Sequence, residues 1–182
     1  MKFETLRKEY TKFLYNDFKI FENDETIVIE YNFEIENLSK FTPKVEILKK
    51  NFSFKNINSN IVKNIVFNLG MIEAISYFKA TCSPQFIIKC GKLDCFQEKW
   101  FKKLFYLGLG EFRFVNNIDV SYDEFATFEN ATNLCHKKSK IESFEGNLVP
   151  IGGGKDSVVT LETLKLNKDN FLMYPVCLVK GH

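Results

Sequence analysis

The sequence predicts an α+β domain over residues 1–140, followed over residues 141–182 by the first strand, loop, helix and strand of an α/β domain. Three observations predict this division. Strand-like segments fill the first third, apolar residues recur at helical spacing from Ile61, and three glycines separate an apolar strand from a helix-compatible segment. Strand, glycine turn, helix and strand in that order form the opening unit of a parallel sheet.

The first third is predicted to contain a hairpin and one further strand. Residues 18–21 and 26–35 are rich in apolar and β-branched side chains, and residues 23–25 form a polar turn between them. A third strand is expected near residues 44–54. The alternation over 26–35 predicts one buried face and one exposed face.

The middle third is predicted to contain two helices on either side of a short strand. Residues 61–79 are predicted to form the first helix, capped by Asn60 or Ser59, because apolar residues recur there at three- and four-residue steps: Ile61, Ile65, Leu69, Ile72, Ile75 and Phe78. Residues 86–88 are a buried strand. Residues 93–107 form the second helix, which is expected to end at Gly108 in the left-handed conformation. The polar segment 123–140 is predicted to connect the two domains.

The last forty residues are predicted to form strand 147–151, helix 156–166 and strand 171–179. The helix has an apolar side that is expected to pack on the sheet, made of Val158, Val159, Leu161, Leu164 and Leu166. A complete α/β domain needs further parallel strands after residue 179. We therefore expect the chain to be the N-terminal part of a longer protein and to lack the activity of the whole by itself.

Composition limits the classes of function. The net charge is only +2, with 25 basic and 23 acidic residues interspersed, which disfavours binding to nucleic acid or to a membrane surface. The charged N-terminus does not resemble a signal peptide, and no later window approaches about 20 apolar residues. A cytoplasmic location is expected. The 20 phenylalanines predict an aromatic core.

The five cysteines are odd in number and irregularly spaced, which favours free thiols over a disulfide framework. A zinc site of Cys90, Cys95 and His136 is conceivable. It is disfavoured because the chain has no Cys-x-x-Cys pair, and structural zinc sites usually have paired ligands. No metal-binding side chain is therefore predicted.

The segment Gly152-Gly153-Gly154-Lys155-Asp156-Ser157 has the composition of a phosphate-binding loop. Glycines let an anion approach the backbone N–H groups, and the following helix presents its positive end. The Walker A pattern G-x-x-x-x-G-K-[ST] does not match, because Asp156 stands where it needs serine or threonine and Val149 stands where it needs its first glycine. The dinucleotide pattern G-x-G-x-x-G does not match either, because Asp156 and Ser157 stand where its last glycine is needed. The alternative is that the three glycines only form a tight, flexible turn between strand and helix. This is disfavoured because ordering three glycines costs conformational entropy, and a turn without a function offers nothing that offsets this cost.

The loop resembles the SGGxDS loop of the ATP pyrophosphatase (PP-loop) superfamily, whose fold is that of the adenine nucleotide α-hydrolases. By that resemblance, the backbone of 152–154 and the Ser157 hydroxyl would hold the pyrophosphate of ATP, and Lys155 would add positive charge. The chain departs from the pattern at Gly152, where the superfamily usually has serine, so one hydroxyl contact is missing or moved.

Three segments narrow the resemblance: 75–84 (ISYFKATCSP), 108–112 (GLGEF) and 149–162 (VPIGGGKDSVVTLE). They resemble the UDP-N-acetylmuramoyl-L-alanyl-L-glutamate epimerases over residues 60–182. The resemblance implies inversion of the terminal L-glutamate of that UDP-linked muramoyl dipeptide to D-glutamate in peptidoglycan biosynthesis. It implies ATP and Mg²⁺ as cofactors, with release of AMP and pyrophosphate.

Candidate acid/base residues in the resembling segments are Lys79, Cys82 and Glu111. Lys79 and Cys82 suit proton transfer if their pKa values are lowered, and Glu111 could orient substrate or magnesium. The competing interpretations are a solvated lysine, a buried structural cysteine and an ordinary loop carboxylate. His136 is expected to be solvated.

Two other functions stay open. One is another PP-loop enzyme, either an amidotransferase-type ligase or a sulfur-transfer enzyme acting on tRNA, although the near-neutral charge disfavours tRNA. The other is a non-catalytic binding module that kept the fold. The sequence does not predict the oligomeric state.

Overall fold

The computed structural model describes residues 3–49, 59–136, 147–152, 154–166 and 171–175. It divides into two units, Met1–Ser139 and Lys140–His182. The elements of the first unit are α1 (Phe3–Glu9), β1 (Lys12–Glu22), β2 (Thr26–Ile35), β3 (Ser39–Phe41), β4 (Lys44–Leu48), α2 (Asn60–Phe78), β5 (Gln85–Ile88), α3 (Cys95–Gly108), α4 (Gly110–Val115), α5 (Tyr122–Phe125) and β6 (Thr127–Asn130). Those of the second are β7 (Asn147–Ile151), α6 (Lys155–Leu166) and β8 (Phe171–Pro175).

The predicted hairpin is confirmed as β1 and β2, which pair antiparallel from Phe13↔Ile35 to Glu22↔Ile27. Its turn is closed by Asn23, whose Oδ1 accepts hydrogen bonds from the backbone N–H groups of Glu25 and Thr26 at 2.9 and 2.7 Å. An asparagine carbonyl satisfies the turn amides in this way because its side chain is short enough to reach two residues onward.

The third predicted strand is confirmed over β4, which pairs antiparallel with β2; residues 50–54 of that prediction lie outside the described residues. The three-residue β3 was not predicted. It also pairs with β2, and three residues are too few to show an alternating pattern.

The first unit has a mixed sheet in the order β3-β2-β1-β5-β6. The central β5 is parallel to both β1 and β6. The prediction that residues 123–140 connect the two domains was therefore wrong for residues 127–130, which form the edge strand β6. The physical reason is local burial: Phe125 and Ala126 are each 1% exposed and anchor the chain beside β5.

Helix α2 begins where predicted, since the Ser59 hydroxyl accepts a hydrogen bond from the Val62 N–H at 3.3 Å. The helix is confirmed, but most of the apolar residues whose spacing predicted it lie outside its buried side. The buried side is Val66, Phe67, Gly70, Met71, Ala74 and Phe78, whereas Ile61, Ile65, Leu69 and Ile72 are more than 40% exposed.

The buried face of α2 is chosen by what lies beneath it. A Cβ placed on Gly70 would lie 2.0 Å from the Tyr15 hydroxyl oxygen and 2.8 Å from Tyr31 Cε1. Only the side that carries Gly70 and Ala74 lets the helix approach these two rings. The sequence pattern could not distinguish the sides, because α2 is apolar on both.

Helix α2 is long and apolar enough to cross a membrane by length and composition, with a mean hydropathy of 1.3. The expectation that no window approaches this limit was therefore wrong for residues 60–78. Core helices of globular proteins pass the same test, and the Val66 side of α2 packs in the aromatic core over Tyr15 and Tyr31.

Helix α3 is confirmed and starts with a capping box. Asp94 accepts hydrogen bonds from the N–H groups of Phe96 and Gln97, while Gln97 Oε1 accepts one from the Asp94 N–H at 3.0 Å. The helix ends at Gly108 as predicted, but not through a left-handed glycine: Gly108 has no positive φ, and the capping Leu109 has φ −99°.

The core of the first unit is aromatic, as the phenylalanine content predicted. Its fully buried phenylalanine rings join the hairpin, the parallel strands and the helices: Phe13, Phe33, Phe67, Phe78, Phe86, Phe101, Phe105 and Phe125. Many meet edge to face, such as Phe86 on Phe105 with centroids 5.5 Å apart and an angle of 89°. This geometry places ring edges against ring faces, which the aromatic quadrupole favours.

The second unit has the predicted order of strand, helix and strand. β7 and β8 pair in parallel from Asn147↔Phe171 to Ile151↔Pro175; residues 176–179 of the predicted second strand lie outside the described residues. The apolar side assigned to α6 was wrong in part, because Val158, Val159 and Leu166 are 57–82% exposed. The two described strands form a narrow sheet, which covers only part of the helix. Leu161 and Leu164 are partly buried on that side.

Candidate functional site

The glycine loop lies where β7 ends and α6 begins. Gly152 follows the last residue of β7, Ile151, and Lys155 is the first residue of α6. Gly153 lies outside the described residues. The loop is thus followed by a helix of 12 residues, long enough for its N-terminal N–H groups to attract an anion.

The space around the described glycines is open. Within the described residues, nothing lies within 4 Å of a Cβ built on Gly152 or Gly154, and neither residue has a positive φ. Neither packing against the described residues nor backbone conformation therefore requires glycine at these two positions. Close approach of a ligand to the backbone is a reason that remains, as phosphate-binding loops require.

Polar side chains stand at the start of α6. Lys155 and Asp156 are exposed, and the half-buried Ser157 donates its hydroxyl to the Gly154 carbonyl at 3.0 Å. Rotation about one bond frees that hydroxyl for a ligand. A hollow of about 410 Å³ borders the same turn and is lined by Asn147, Val149, Pro150, Asp156, Ser157, Thr160 and Leu164. This volume is within the usual range for small-molecule sites.

The other predicted site residues belong to the first unit. Lys79 closes the end of α2, and Cys82 lies three residues later, with its thiol 3.9 Å from the Lys79 carbonyl oxygen. Glu111 is exposed in the first turn of α4. The Lys79 ammonium lies 6.0 Å from the centroid of the Phe112 ring, so the end of α2 lies close to the residue that follows Glu111.

Cys82 is fully buried, and its backbone has φ 49°, in the left-handed region that side chains other than glycine and asparagine rarely adopt. Burial raises the pKa of the Cys82 thiol to about 12, although the positive charges of Arg7 and Arg113 oppose this. A thiol with such a pKa is neutral at physiological pH. This environment supports the structural interpretation of Cys82 more than proton transfer.

Two functional candidates were missed by the sequence reasoning, namely Arg7 and Arg113. They are the only arginines in a chain with 25 basic residues, and both lie close to Cys82. The sequence did contain a signal for these two residues, because arginine is rare here among many lysines. Arginine at such a position suggests a need for the paired hydrogen bonds that a planar guanidinium forms and an ammonium cannot.

Three backbone carbonyls accept hydrogen bonds from Arg7. Its Nη1 donates to the carbonyls of Cys82 and Phe125, and its Nη2 donates to the carbonyl of Glu124 at 2.9 Å. Burial lowers the pKa of Arg7. The residue therefore ties α1 to the Cys82 turn and to α5.

His136 does not have the solvated environment that was predicted. Its ring lies 4.9 Å from that of Phe67 and 5.7 Å from that of Phe18, and its Nε2 is 2.8 Å from the Cys90 carbonyl oxygen. The conceivable zinc site is not formed by the described part of the chain, in which no three Cys, His, Asp or Glu side chains are grouped for a metal ion.

Comparison with known proteins gives one curated relative. The chain is 29% identical over 114 residues to UDP-N-acetyl-alpha-D-muramoyl-L-alanyl-L-glutamate epimerase of Xanthomonas oryzae pv. oryzae. The match covers 63% of this chain and 25% of the relative, so the matched segment spans about a quarter of that enzyme. No solved structure matches. A family model described as the MurL N-terminal domain matches residues 4–178, nearly the whole sequence, and the chain therefore belongs to the MurL N-terminal domain family.

Proposed function

We propose that this chain is the N-terminal part of an ATP- and Mg²⁺-dependent epimerase that inverts the terminal L-glutamate of UDP-N-acetylmuramoyl-L-alanyl-L-glutamate. The observation that carries the proposal is the open glycine loop between β7 and α6 in a member of the MurL N-terminal domain family. The relative of known name is an epimerase for this nucleotide-linked dipeptide. A cytoplasmic role in peptidoglycan precursor synthesis follows from the substrate.

Carboxylate activation explains why such an epimerase needs ATP. An α-hydrogen beside a carboxylate is a very weak acid, because its carbanion would form next to a negative charge. Joining the carboxylate to AMP, with release of pyrophosphate, removes that charge. Positioned acid/base groups contribute about 10²–10⁴-fold, which is too little to remove the proton from an unactivated carboxylate.

The residues of the second unit fit the phosphate end of ATP. Backbone N–H groups from Gly152 to Ser157 and the start of α6 would hold the pyrophosphate, and Lys155 would balance its charge. Mg²⁺ usually binds one or two carboxylates besides phosphate oxygens, and Asp156 is the carboxylate beside this loop. Lys79 and Glu111 remain candidates for proton transfer or substrate orientation, whereas the buried Cys82 has a structural role.

The test is deuterium incorporation by the full natural polypeptide that contains this chain. In deuterated water, with UDP-N-acetylmuramoyl-L-alanyl-L-glutamate, deuterium should enter the glutamate α-carbon only when ATP and Mg²⁺ are present, with AMP and pyrophosphate as products. Exchange without ATP would contradict carboxylate activation. Release of ADP would contradict the transfer of AMP, and equal inversion of free L-glutamate would contradict the substrate.

A loop variant links that activity to the glycines. Gly154→Val should abolish both exchange and AMP release, because its side chain would occupy the open space where the phosphates approach. The control is Thr163→Ala on the helix that follows the loop, where the hydroxyl donates to the Val159 carbonyl. Full activity of Gly154→Val would exclude the loop as the ATP site.

A further inference from the structure

Helix α2 carries a straight apolar stripe on the side that faces away from the core. Four side chains that are each 41–48% exposed form it: Ile61, Ile65, Leu69 and Ile72. Steps of four, four and three residues place them on one face of the helix, over about 16 Å of its length. The stripe contains no charged residue. Since the opposite side of α2 already packs in the core, the stripe is a second apolar face without a function in the fold of the first unit.

Helix α3 extends this stripe into a wider surface. Its Phe96 and Trp100 are 81% and 54% exposed, and together with Ile72 they line a hollow of about 430 Å³. The polar side chains of the hollow already have partners, because Gln97 Nε2 donates to Asn68 Oδ1 at 3.2 Å and Gln97 Oε1 accepts from the Asp94 N–H. The hollow therefore suits an apolar occupant. We call the six exposed side chains the α2–α3 face: Ile61, Ile65, Leu69, Ile72, Phe96 and Trp100.

The area of the α2–α3 face is close to what a dimer requires. From their exposed fractions, the six side chains present roughly 600 Å² of apolar surface, at the upper end of the largest patch found on monomeric proteins. A stable interface between two proteins buries about 800 Å² on each partner. The six side chains thus supply most of an interface of that size, and the residues around them supply its polar rim.

We propose that the α2–α3 face binds a second copy of this chain, with the two α2 helices antiparallel about a two-fold axis. Such an axis brings the same surface of both copies together, and the stripe is complementary to itself about its midpoint. In the antiparallel register Ile65 meets Leu69 of the second copy, and Ile61 meets Ile72 of the second copy and fills the hollow beside it. A stripe without charges suits this symmetry, because it places no like charges opposite each other.

The first test is the mass of the 182-residue chain in sedimentation equilibrium. The wild-type chain should dimerise with a Kd of about 10 μM or lower. Leu69→Glu should raise this Kd at least 10-fold, because it puts a carboxylate into an apolar contact. The matched control is Phe114→Glu, which changes an 85% exposed ring on α4 that lines a different hollow, and it should dimerise like wild type. Circular dichroism shows that each variant keeps its native spectrum.

A second test examines the register by mixing two variants. Ile65→Lys and Leu69→Glu should each be monomeric alone at the concentration where wild type is dimeric. Mixed together they should form dimers of one copy of each, because one lysine then faces one glutamate while the other Ile65–Leu69 contact stays apolar. A role of either residue within its own chain gives no such rescue. Absence of mixed dimers would overturn the antiparallel pairing.

The hollow has its own test, a double-mutant cycle on dimerisation with Ile61→Ala and Trp100→Ala. If Ile61 of one copy fills the hollow of the other, the two changes together should raise Kd by less than the product of their separate effects. Effects that multiply fully would exclude this contact.

Three outcomes would assign the α2–α3 face to another occupant or to none. A monomeric wild-type chain at about 100 μM would overturn the proposal, since an interface of this size is expected to be populated there. Binding of a monomeric chain to phosphatidylcholine vesicles, lost in Leu69→Glu, would replace the second copy by a lipid surface. Dimerisation of the 182-residue chain but not of the full natural polypeptide would assign the face to the rest of that polypeptide. None of these measurements involves ATP or the glycine loop, so their outcomes are independent of the proposed function.

Discussion

Gly70 shows how one missing side chain sets the position of a helix. A glycine inside a helix costs about 1 kcal/mol relative to alanine, so its presence requires a compensating contact. That contact is the approach of α2 to Tyr15 and Tyr31, whose ring atoms occupy the space a Cβ would need.

We expect Gly70→Ala to lower the free energy of unfolding by about 1–3 kcal/mol, because overpacking outweighs the gain in helix propensity. Urea unfolding measures this. The control Gly108→Ala should be close to neutral, since its Cβ would meet only Leu104 Cδ1 at 3.9 Å. Adding Tyr15→Phe to Gly70→Ala should restore part of the loss, because the closest atom is the Tyr15 hydroxyl oxygen. Unchanged stability of Gly70→Ala would show that α2 lies farther from the sheet.

The buried thiols make stability depend on alkaline pH. Burial raises the pKa of Cys82 and of Cys90 to about 12, against an ordinary value of 9.0. Above pH 9 the unfolded chain loses these protons while the folded chain keeps them, so stability is complete below pH 9 and falls as the pH rises towards 12. The loss approaches about 1.4 kcal/mol per pH unit for each thiol.

In Cys82→Ala and in Cys90→Ala, the unfolding free energy should fall less steeply between pH 9 and pH 10.5 than in the wild-type chain. The exposed Cys95→Ala serves as the control and should follow the wild-type slope. Equal slopes in all four proteins would mean that the two thiols are accessible to water.

At the scale of elements, the caps explain where helices begin, and α3 has the more complete one. Its capping box satisfies three backbone N–H groups at the start of the helix, and Gln97 Nε2 also donates to Asn68 Oδ1 at 3.2 Å. This last bond connects the start of α3 to the middle of α2, so a local motif also fixes helix packing.

Asp94→Ala should therefore cost about 1 kcal/mol of unfolding free energy, within the usual range of 0.5–2 for a lost cap. Asp94→Ser is the conservative variant and should recover most of it, since a hydroxyl also accepts from the N3 amide. Thermal unfolding followed by circular dichroism measures both. A full loss in Asp94→Ser would indicate that the carboxylate charge, rather than the cap, stabilises α3.

At the scale of the whole molecule, the buried cluster leads us to expect that the first unit folds by itself. All its buried members lie between Phe13 and Ala126, inside the unit Met1–Ser139. We expect a chain that ends at Ser139 to retain a cooperative thermal transition and its native near-ultraviolet spectrum, because no member of the cluster is removed. A chain that ends at Ile118 loses Phe125, Ala126 and β6, and should unfold without a cooperative transition. Loss of cooperative unfolding in the chain that ends at Ser139 would contradict a self-contained core.

Several features of this protein are determined by residues that lie close together in the sequence. The hairpin turn at Asn23, the Ser59 cap and the capping-box start of α3 depend on residues within four positions of one another. The glycine loop between a strand and a helix is equally local, and so its place in the chain could be predicted. Its role in ATP binding remains a proposal, because that role depends on a ligand.

Other features were decided by residues far apart in the chain. The sequence alone determined that 60–78 is an apolar helix, but the rings of Tyr15 and Tyr31 selected its buried side. Pairing with β5 turned an expected connector into the strand β6. The tertiary structure alone brought Arg7 and Arg113 to Cys82, across 75 and 31 positions, because packing places side chains by shape and contact, and periodicity carries no information about which distant surface will meet them.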